Sequence, residues 1–170
     1  LPFALGDLPE RQAQPVVEFH PDTDGNLAIV GTGGTGKSTV LRTLAVAAAH
    51  DPSGPVHVYC LDYGSRGLHM LQTLPNVGTV VSADDTERTH RLLREARAAV
   101  DERSARFARA QAATLTEYRA RTGEKAEPRV LILVDGLAAF RQAHENAQPG
   151  NAYDLLASIA ADGRPVGVHV

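Results

Sequence analysis

Gly31-Thr32-Gly33-Gly34-Thr35-Gly36-Lys37-Ser38 satisfies the phosphate-loop pattern G-x-x-x-x-G-K-[ST] at every position. Its glycines permit positive φ and let backbone N–H groups come close to phosphate oxygens. The loop feeds a helix N-terminus, where unpaired N–H groups and the helix dipole favour anions. Lys37 is placed to reach the β- and γ-phosphates, and the Ser38 hydroxyl to ligate magnesium. Thr39, in the first helical turn, completes the nucleotide-binding set Gly31, Thr32, Gly33, Gly34, Thr35, Gly36, Lys37, Ser38 and Thr39. ATP and Mg²⁺ are the expected ligands.

The flanks supply the context such a loop needs. Asn26–Val30 is a short apolar run that reads as a buried strand. Lys37–His50 reads as a helix with Leu41, Leu44 and Ala48 on one face, stopped by Asp51-Pro52-Ser53-Gly54-Pro55. Further on come a strand at Val56–Leu61, a loop at Asp62–Gly67, a short helix at Leu68–Thr73 and a strand at Thr79–Ser82. Asp84 with Glu87 is expected to cap one long helix, in which Leu92, Ala96, Val100, Phe107, Leu115 and Tyr118 recur near a 3.6-residue period, ending at Gly123. After a strand at Val130–Val134 follow a weaker helical stretch, a loop at Gln148–Asn151 and a helix at Ala152–Ala161. Val166–Val170 reads as a last strand broken off in mid-run.

Strands alternating with helices, and continuously apolar within themselves, imply a mostly parallel sheet covered on both faces. The expected class is therefore α/β, a RecA-like P-loop NTPase spanning residues 26–170. Residues 1–25, with a short strand at Val16–Phe19, form a lead-in segment packing on it.

Arg129-Val130-Leu131-Ile132-Leu133-Val134-Asp135 is an apolar strand with an acid at its C-terminal end, the edge where open α/β sheets bind ligands. Asp135 is the expected partner of Ser38 in holding magnesium. The next residue is Gly136, where strand-end ATPases of this type usually carry a Glu that orients the attacking water. Its loss is expected to slow hydrolysis by about 10²- to 10⁴-fold. Binding would remain intact, and Gly136→Glu is expected to raise turnover if Asp135 is correctly placed. Asp62, ending another strand, is a substitute catalytic base, a group that supports the site from behind its ligands, or a loop cap before Tyr63-Gly64. Arg66, in the same loop, either touches a phosphate or a neighbour or makes local bonds.

The remaining features are quieter. The 170 residues suit one α/β domain, and the net charge of -3 argues against a strongly basic nucleic-acid surface. Aromatic residues make up 5% with no Trp, which disfavours base-stacking platforms. Cys60 is the single cysteine, so no internal disulfide forms and a reducing setting is the simplest reading. No apolar run is long enough to span a bilayer, and a soluble segment is expected. The arginines of the long helix alternate with acids, suggesting ion pairs such as Arg91/Glu95 and Glu102/Arg106. The seven histidines are scattered without metal-ligand spacing.

The stretch Asn26–Leu44, then Val58-Tyr59-Cys60-Leu61-Asp62-Tyr63-Gly64-Ser65-Arg66-Gly67-Leu68, then Leu74-Pro75-Asn76-Val77-Gly78, resembles the FtsK/SpoIIIE family. Within it, the ATPase modules of EccC-type motors of bacterial type VII secretion are most similar. Leu1-Pro2-Phe3-Ala4-Leu5-Gly6-Asp7 looks like the lead-in to such a module, and Val134-Asp135-Gly136 with Phe140-Arg141 is similar to degenerate downstream modules. The resemblance implies ATPase modules strung on a membrane-anchored bacterial chain, with this one in the cytoplasm and assembled into a ring with other modules. It also implies that some such modules dock a signal segment of a secreted protein. A DNA translocase of the FtsK type is the alternative, as is a non-catalytic, ATP-locked docking or regulatory module.

Overall fold

The computed structural model describes residues 1–145 and 150–170. In chain order the strands are β1 (Pro2–Leu5), β2 (Val16–Glu18), β3 (Val56–Asp62), β4 (Val77–Ser82), β5 (Arg129–Asp135) and β6 (Val168–His169). The helices are α1 (Pro21–Asp24), α2 (Lys37–Ala49), α3 (Thr86–Arg109), α4 (Leu115–Thr122), α5 (Leu137–His144) and α6 (Ala152–Asp162). A 3₁₀ segment spans His69–Thr73. The expected loop at Gln148–Asn151 falls partly outside the described residues.

The sheet order β4-β3-β5-β6 is parallel throughout. β3 and β5 run in full register from Val56↔Arg129 to Asp62↔Asp135, so two carboxylates end side by side on one edge. Alternating side chains feed two cores. Val58, Cys60, Leu131 and Leu133 point to the face covered by α2, where Leu44, Ala45 and Ala48 are buried with Phe19. Leu61, Val130 and Ile132 point to the other face, under Leu93, Val100 and Phe107 of α3 and Leu156 and Ile159 of α6. That is the α/β class the sequence implies. β1 and β2 form a separate antiparallel ribbon. It is tied down by Phe19 in the core and by Asp22, which accepts three bonds from the buried Arg129 guanidinium at 2.7, 2.8 and 3.2 Å.

Five expectations need correction. Asn26–Val30 is not a strand. A strand requires a neighbour along its length, and here only Leu27 N–H finds one, the Val170 carbonyl at 3.1 Å, leaving Val30 94% exposed. β6 pairs β5 only at Val130 and Leu131, and a cavity of about 530 Å³ separates the upper half of β5 from residues 26–31. The last strand accordingly shrinks to Val168–His169, with Arg164–Val166 forming a 3₁₀ turn.

The long helix is two. α3 ends at Arg109, Gln111 takes φ 54°, and Thr114 starts α4. Thr114 Oγ1 accepts from Glu117 N–H at 3.1 Å while Glu117 Oε2 accepts from Ala113 N–H at 2.8 Å, a reciprocal cap that overrides the continuing apolar period. The N-cap of α3 is Asp85, accepting from Arg88 N–H at 3.0 Å, rather than Asp84. The expected pairs Arg91/Glu95 and Glu102/Arg106 do not form among the described residues. Arg97 pairs with Asp101 and Asp162, and Glu127 takes both Arg103 and Arg106.

Candidate nucleotide site

The phosphate loop leads into α2 with Gly34 at φ 78° and Gly36 at φ 89°, conformations that glycine adopts without strain. Among the described residues, no carbonyl or side chain accepts the N–H groups of Gly33, Gly34, Thr35 and Gly36, and a side chain at any of the three glycines would meet nothing within 4 Å. Four consecutive amides are thus left free beside open space at the start of α2. The loop is braced from within: Thr35 Oγ1 donates to the Thr32 carbonyl at 2.9 Å and stands 2.6 Å from where a Cβ on Gly31 would lie. Lys37 Nζ folds back to donate to the Gly31 and Thr32 carbonyls at 2.9 and 2.6 Å. These are weak, solvent-exposed restraints, and an incoming anion competes with them directly.

The fold brings Ser38 and Asp135 into contact: Ser38 Oγ donates to Asp135 Oδ2 at 2.7 Å across 97 residues of sequence. Asp135 is 6% exposed. A hydroxyl and a carboxylate in contact beside the free amides are oxygen donors of the kind a hard divalent cation takes, and would suit Mg²⁺. No cluster of three or more metal-ligating His, Cys, Asp or Glu side chains exists among the described residues, so no second centre competes.

Asp62 lies beside Asp135 in the strand register but turns to its own loop. Oδ2 accepts from Leu68 N–H at 2.8 Å and Oδ1 from Gly64 N–H at 3.3 Å, so the carboxylate caps the 62–68 turn. That turn closes over the cation corner. A Cβ on Gly67 would lie 3.4 Å from Ser38 Cβ, and one on Gly64 would lie 2.9 Å from Asp135 Oδ2.

Gly136 is where the structure departs most from the sequence expectation. It sits at φ 79°, and a Cβ there would lie 2.7 Å from both C and O of Tyr63 and 3.0 Å from Gly64 N. The Tyr63 N–H donates to the Asp135 carbonyl at 2.9 Å, which locks those two strand ends together. The place of a Glu side chain is filled by main chain, so adding Glu at 136 cannot by itself rebuild a water-orienting group. The gain of turnover expected of Gly136→Glu from sequence therefore does not follow.

Tyr63 also anchors a buried polar cluster that sequence reasoning missed. Its hydroxyl meets His144 Nε2 at 2.5 Å and Thr89 Oγ1 at 2.9 Å, joining the β3 end to α3 and α5. Burial raises the Tyr63 pKa, and burial with the nearby His90 lowers that of His144, so both are neutral near pH 7. No spacing rule brings residues 63, 89 and 144 together, and only the fold could reveal them. Cys60, fully buried, has its thiol pushed up to about 12 by burial and the charge of Asp62, which makes it an inert core residue.

The sequence profile of the FtsK/SpoIIIE family matches residues 2–170. The chain belongs to the FtsK/SpoIIIE family. It is 34% identical over 176 residues to the ESX-4 secretion system protein EccC4 of Mycobacterium tuberculosis, covering 100% of this chain and 14% of that protein. Among solved structures it is similar to Thermomonospora curvata EccC (ATPases 2 and 3) in complex with a signal sequence peptide, with TM-score 0.82 and 32% identity over 98% of this chain and 30% of that one. EssC (ATPases 2 and 3) from Geobacillus thermodenitrificans gives TM-score 0.82 and 26% identity, covering 99% of this chain and 32% of that one. The chain therefore spans about a seventh of EccC4 and about a third of each solved neighbour. No helix among the described residues is long and apolar enough to cross a membrane.

Proposed function

We propose that this chain is an ATP- and magnesium-binding module of a type VII protein-secretion motor, slow or inert in hydrolysis. The observation that carries it is the set of unsatisfied amides from Gly33 to Gly36, flanked by Lys37 and by the Ser38–Asp135 contact. Gly31–Thr39 cradles the triphosphate, Lys37 leaves the Gly31 and Thr32 carbonyls for the phosphate oxygens, and Ser38 with Asp135 holds the cation. Bound Mg²⁺ would supply charge neutralisation of the phosphates. Slow chemistry follows because Gly136 has no side chain and Asp62 spends its oxygens on its own loop. The EccC and EssC relatives support placement as one of several modules on a membrane-anchored chain, on its cytoplasmic side and packed against other modules in a ring. One solved relative contains a signal sequence peptide, which supports a secreted protein's signal segment as the partner.

The closed pocket at Gly136 favours the ATP-locked variant of this reading, in which nucleotide stabilises the module by mass action. DNA translocation is the weaker reading. Among the arginines of α3, Arg88, Arg97, Arg103 and Arg106 are tied up in ion pairs. Phosphate release under saturating Mg·ATP tests the proposal together with duplex-DNA anisotropy at low salt. Turnover close to background and no DNA binding are expected. Brisk turnover lost in Lys37→Ala, or tight and salt-sensitive DNA binding, would overturn it.

A further inference from the structure

The 62–68 turn carries a cation that no described residue pairs with. Arg66 is exposed and adopts φ 60°, the left-handed region that is strained for a residue with a side chain. Its guanidinium makes no hydrogen bond or ion pair among the described residues, whereas nearby Arg42 is committed to the Ser38 carbonyl and Thr39 Oγ1. Arg66 adjoins Gly67, the residue that lies against Ser38 and Asp135. Its own Cα is therefore about 3.8 Å further along the chain, within a side chain's length of the cation corner.

Charge balance points the same way. The corner holds two buried carboxylates, Asp62 and Asp135, and Lys37 is the single cation of the phosphate loop. Mg·ATP brings about two further net negative charges. Lys37 offsets one, which leaves about one negative charge for a further cation to meet.

We propose that Arg66 is a γ-phosphate-binding residue, held over the site by the Asp62-capped turn and closing on ATP but not on ADP. The proposal rests on the nucleotide reading above and adds the ability to sense the third phosphate. Arg66 is suited to it because its planar fork makes paired, charge-assisted bonds to phosphate oxygens, which a lysine point charge does not. The left-handed backbone at Arg66 is a strained conformation of the kind kept where the surrounding turn over-determines it.

The test measures Mg·ATP and Mg·ADP affinities by calorimetry, with the nucleotide-free melting temperature, for wild type, Arg66→Ala, Arg66→Lys and Arg66→Gly. Arg66→Ala is expected to weaken ATP about tenfold and ADP less than about twofold, with Arg66→Lys intermediate. Arg66→Gly is expected to weaken ATP equally while raising the melting temperature, because glycine takes φ 60° without strain. A merely structural arginine cannot produce opposite signs in stability and ATP affinity. Unchanged ATP affinity in all three variants, or equal losses for ATP and ADP, would overturn the proposal while leaving the nucleotide site intact. A wild-type chain that binds neither nucleotide would instead defeat the reading beneath it.

Discussion

Replacing Gly136 with alanine is expected to destabilise the fold, and replacing it with glutamate is expected to do so without a gain in turnover. Two costs combine. The residue sits at φ 79°, where an L side chain pays about 1–2 kcal/mol. The new Cβ would meet Tyr63 C and O at 2.7 Å, and main chain, unlike the end of a flexible side chain, has nowhere to swing. Relief requires separating the β3 and β5 ends, which strains the Tyr63 N–H to Asp135 carbonyl bond of 2.9 Å and pulls Asp135 from Ser38. Overpacking of this kind costs about 1–3 kcal/mol, for a total of about 2–5 kcal/mol. Urea denaturation followed by far-UV circular dichroism reads the loss as a lower midpoint at constant slope, and a phosphate-release assay reads turnover. A Gly136→Glu protein with a wild-type midpoint and faster ATP hydrolysis would refute the steric reasoning.

Asp22→Ala removes two of the acceptors of the Arg129 guanidinium, whose side chain is 4% exposed, and leaves Asp51 Oδ2 at 3.3 Å as its remaining carboxylate. Because Asp22 itself is 40% exposed, water makes good part of the loss, and a cost of about 2 kcal/mol is expected. The accompanying signature is faster proteolysis within residues 1–25, and an unchanged cleavage rate would contradict the tether. Burial pushes the His169 imidazole down to about 4, against the bond from its Nδ1 to the Gly25 carbonyl. The folded state therefore binds fewer protons than the unfolded one below about pH 6.5. Its contribution is complete above that pH and is lost as pH falls toward 4, at about 1.4 kcal/mol for each tenfold weakening of proton binding in the folded state. Stability measured from pH 7 to 4 should drop less steeply in His169→Gln, with a residual slope from His144, whose pKa is lowered in the same direction. Identical slopes would remove His169 as the cause.

The Gly31–Ser38 loop at the start of α2, and Asp135 at a strand end beside it, were legible because such features are tied to residue type. Glycine at fixed offsets, Lys37 and Ser38, and an apolar run closing on Asp135 require no long-range information. The helix break at 110–114 was also legible in principle, since Thr114-Leu115-Thr116-Glu117 is a capping-box sequence. The sustained period through Leu115 and Tyr118 masked it. Other features were beyond sequence reasoning for physical reasons. Whether residues 26–30 form a strand depends on a hydrogen-bonding neighbour along their length, not on their own apolar character. The ion pairs chose partners across the fold, Arg106 with Glu127 rather than Glu102, because tertiary packing places Glu127 in reach. Gly136 reads as a deleted side chain until the Tyr63–Gly64 peptide is seen in its place.

The most direct trial of the account is a Mg·ATP titration of the purified chain followed by thermal denaturation, run beside Lys37→Ala. Ligand bound only to the folded state at a hundredfold over its dissociation constant should stabilise by about 2.7 kcal/mol. An upward shift of several degrees is therefore expected in the wild type and not in the variant. Coincident melting curves with and without nucleotide, in a wild-type protein shown to be folded, would contradict the claim that these amides hold a triphosphate.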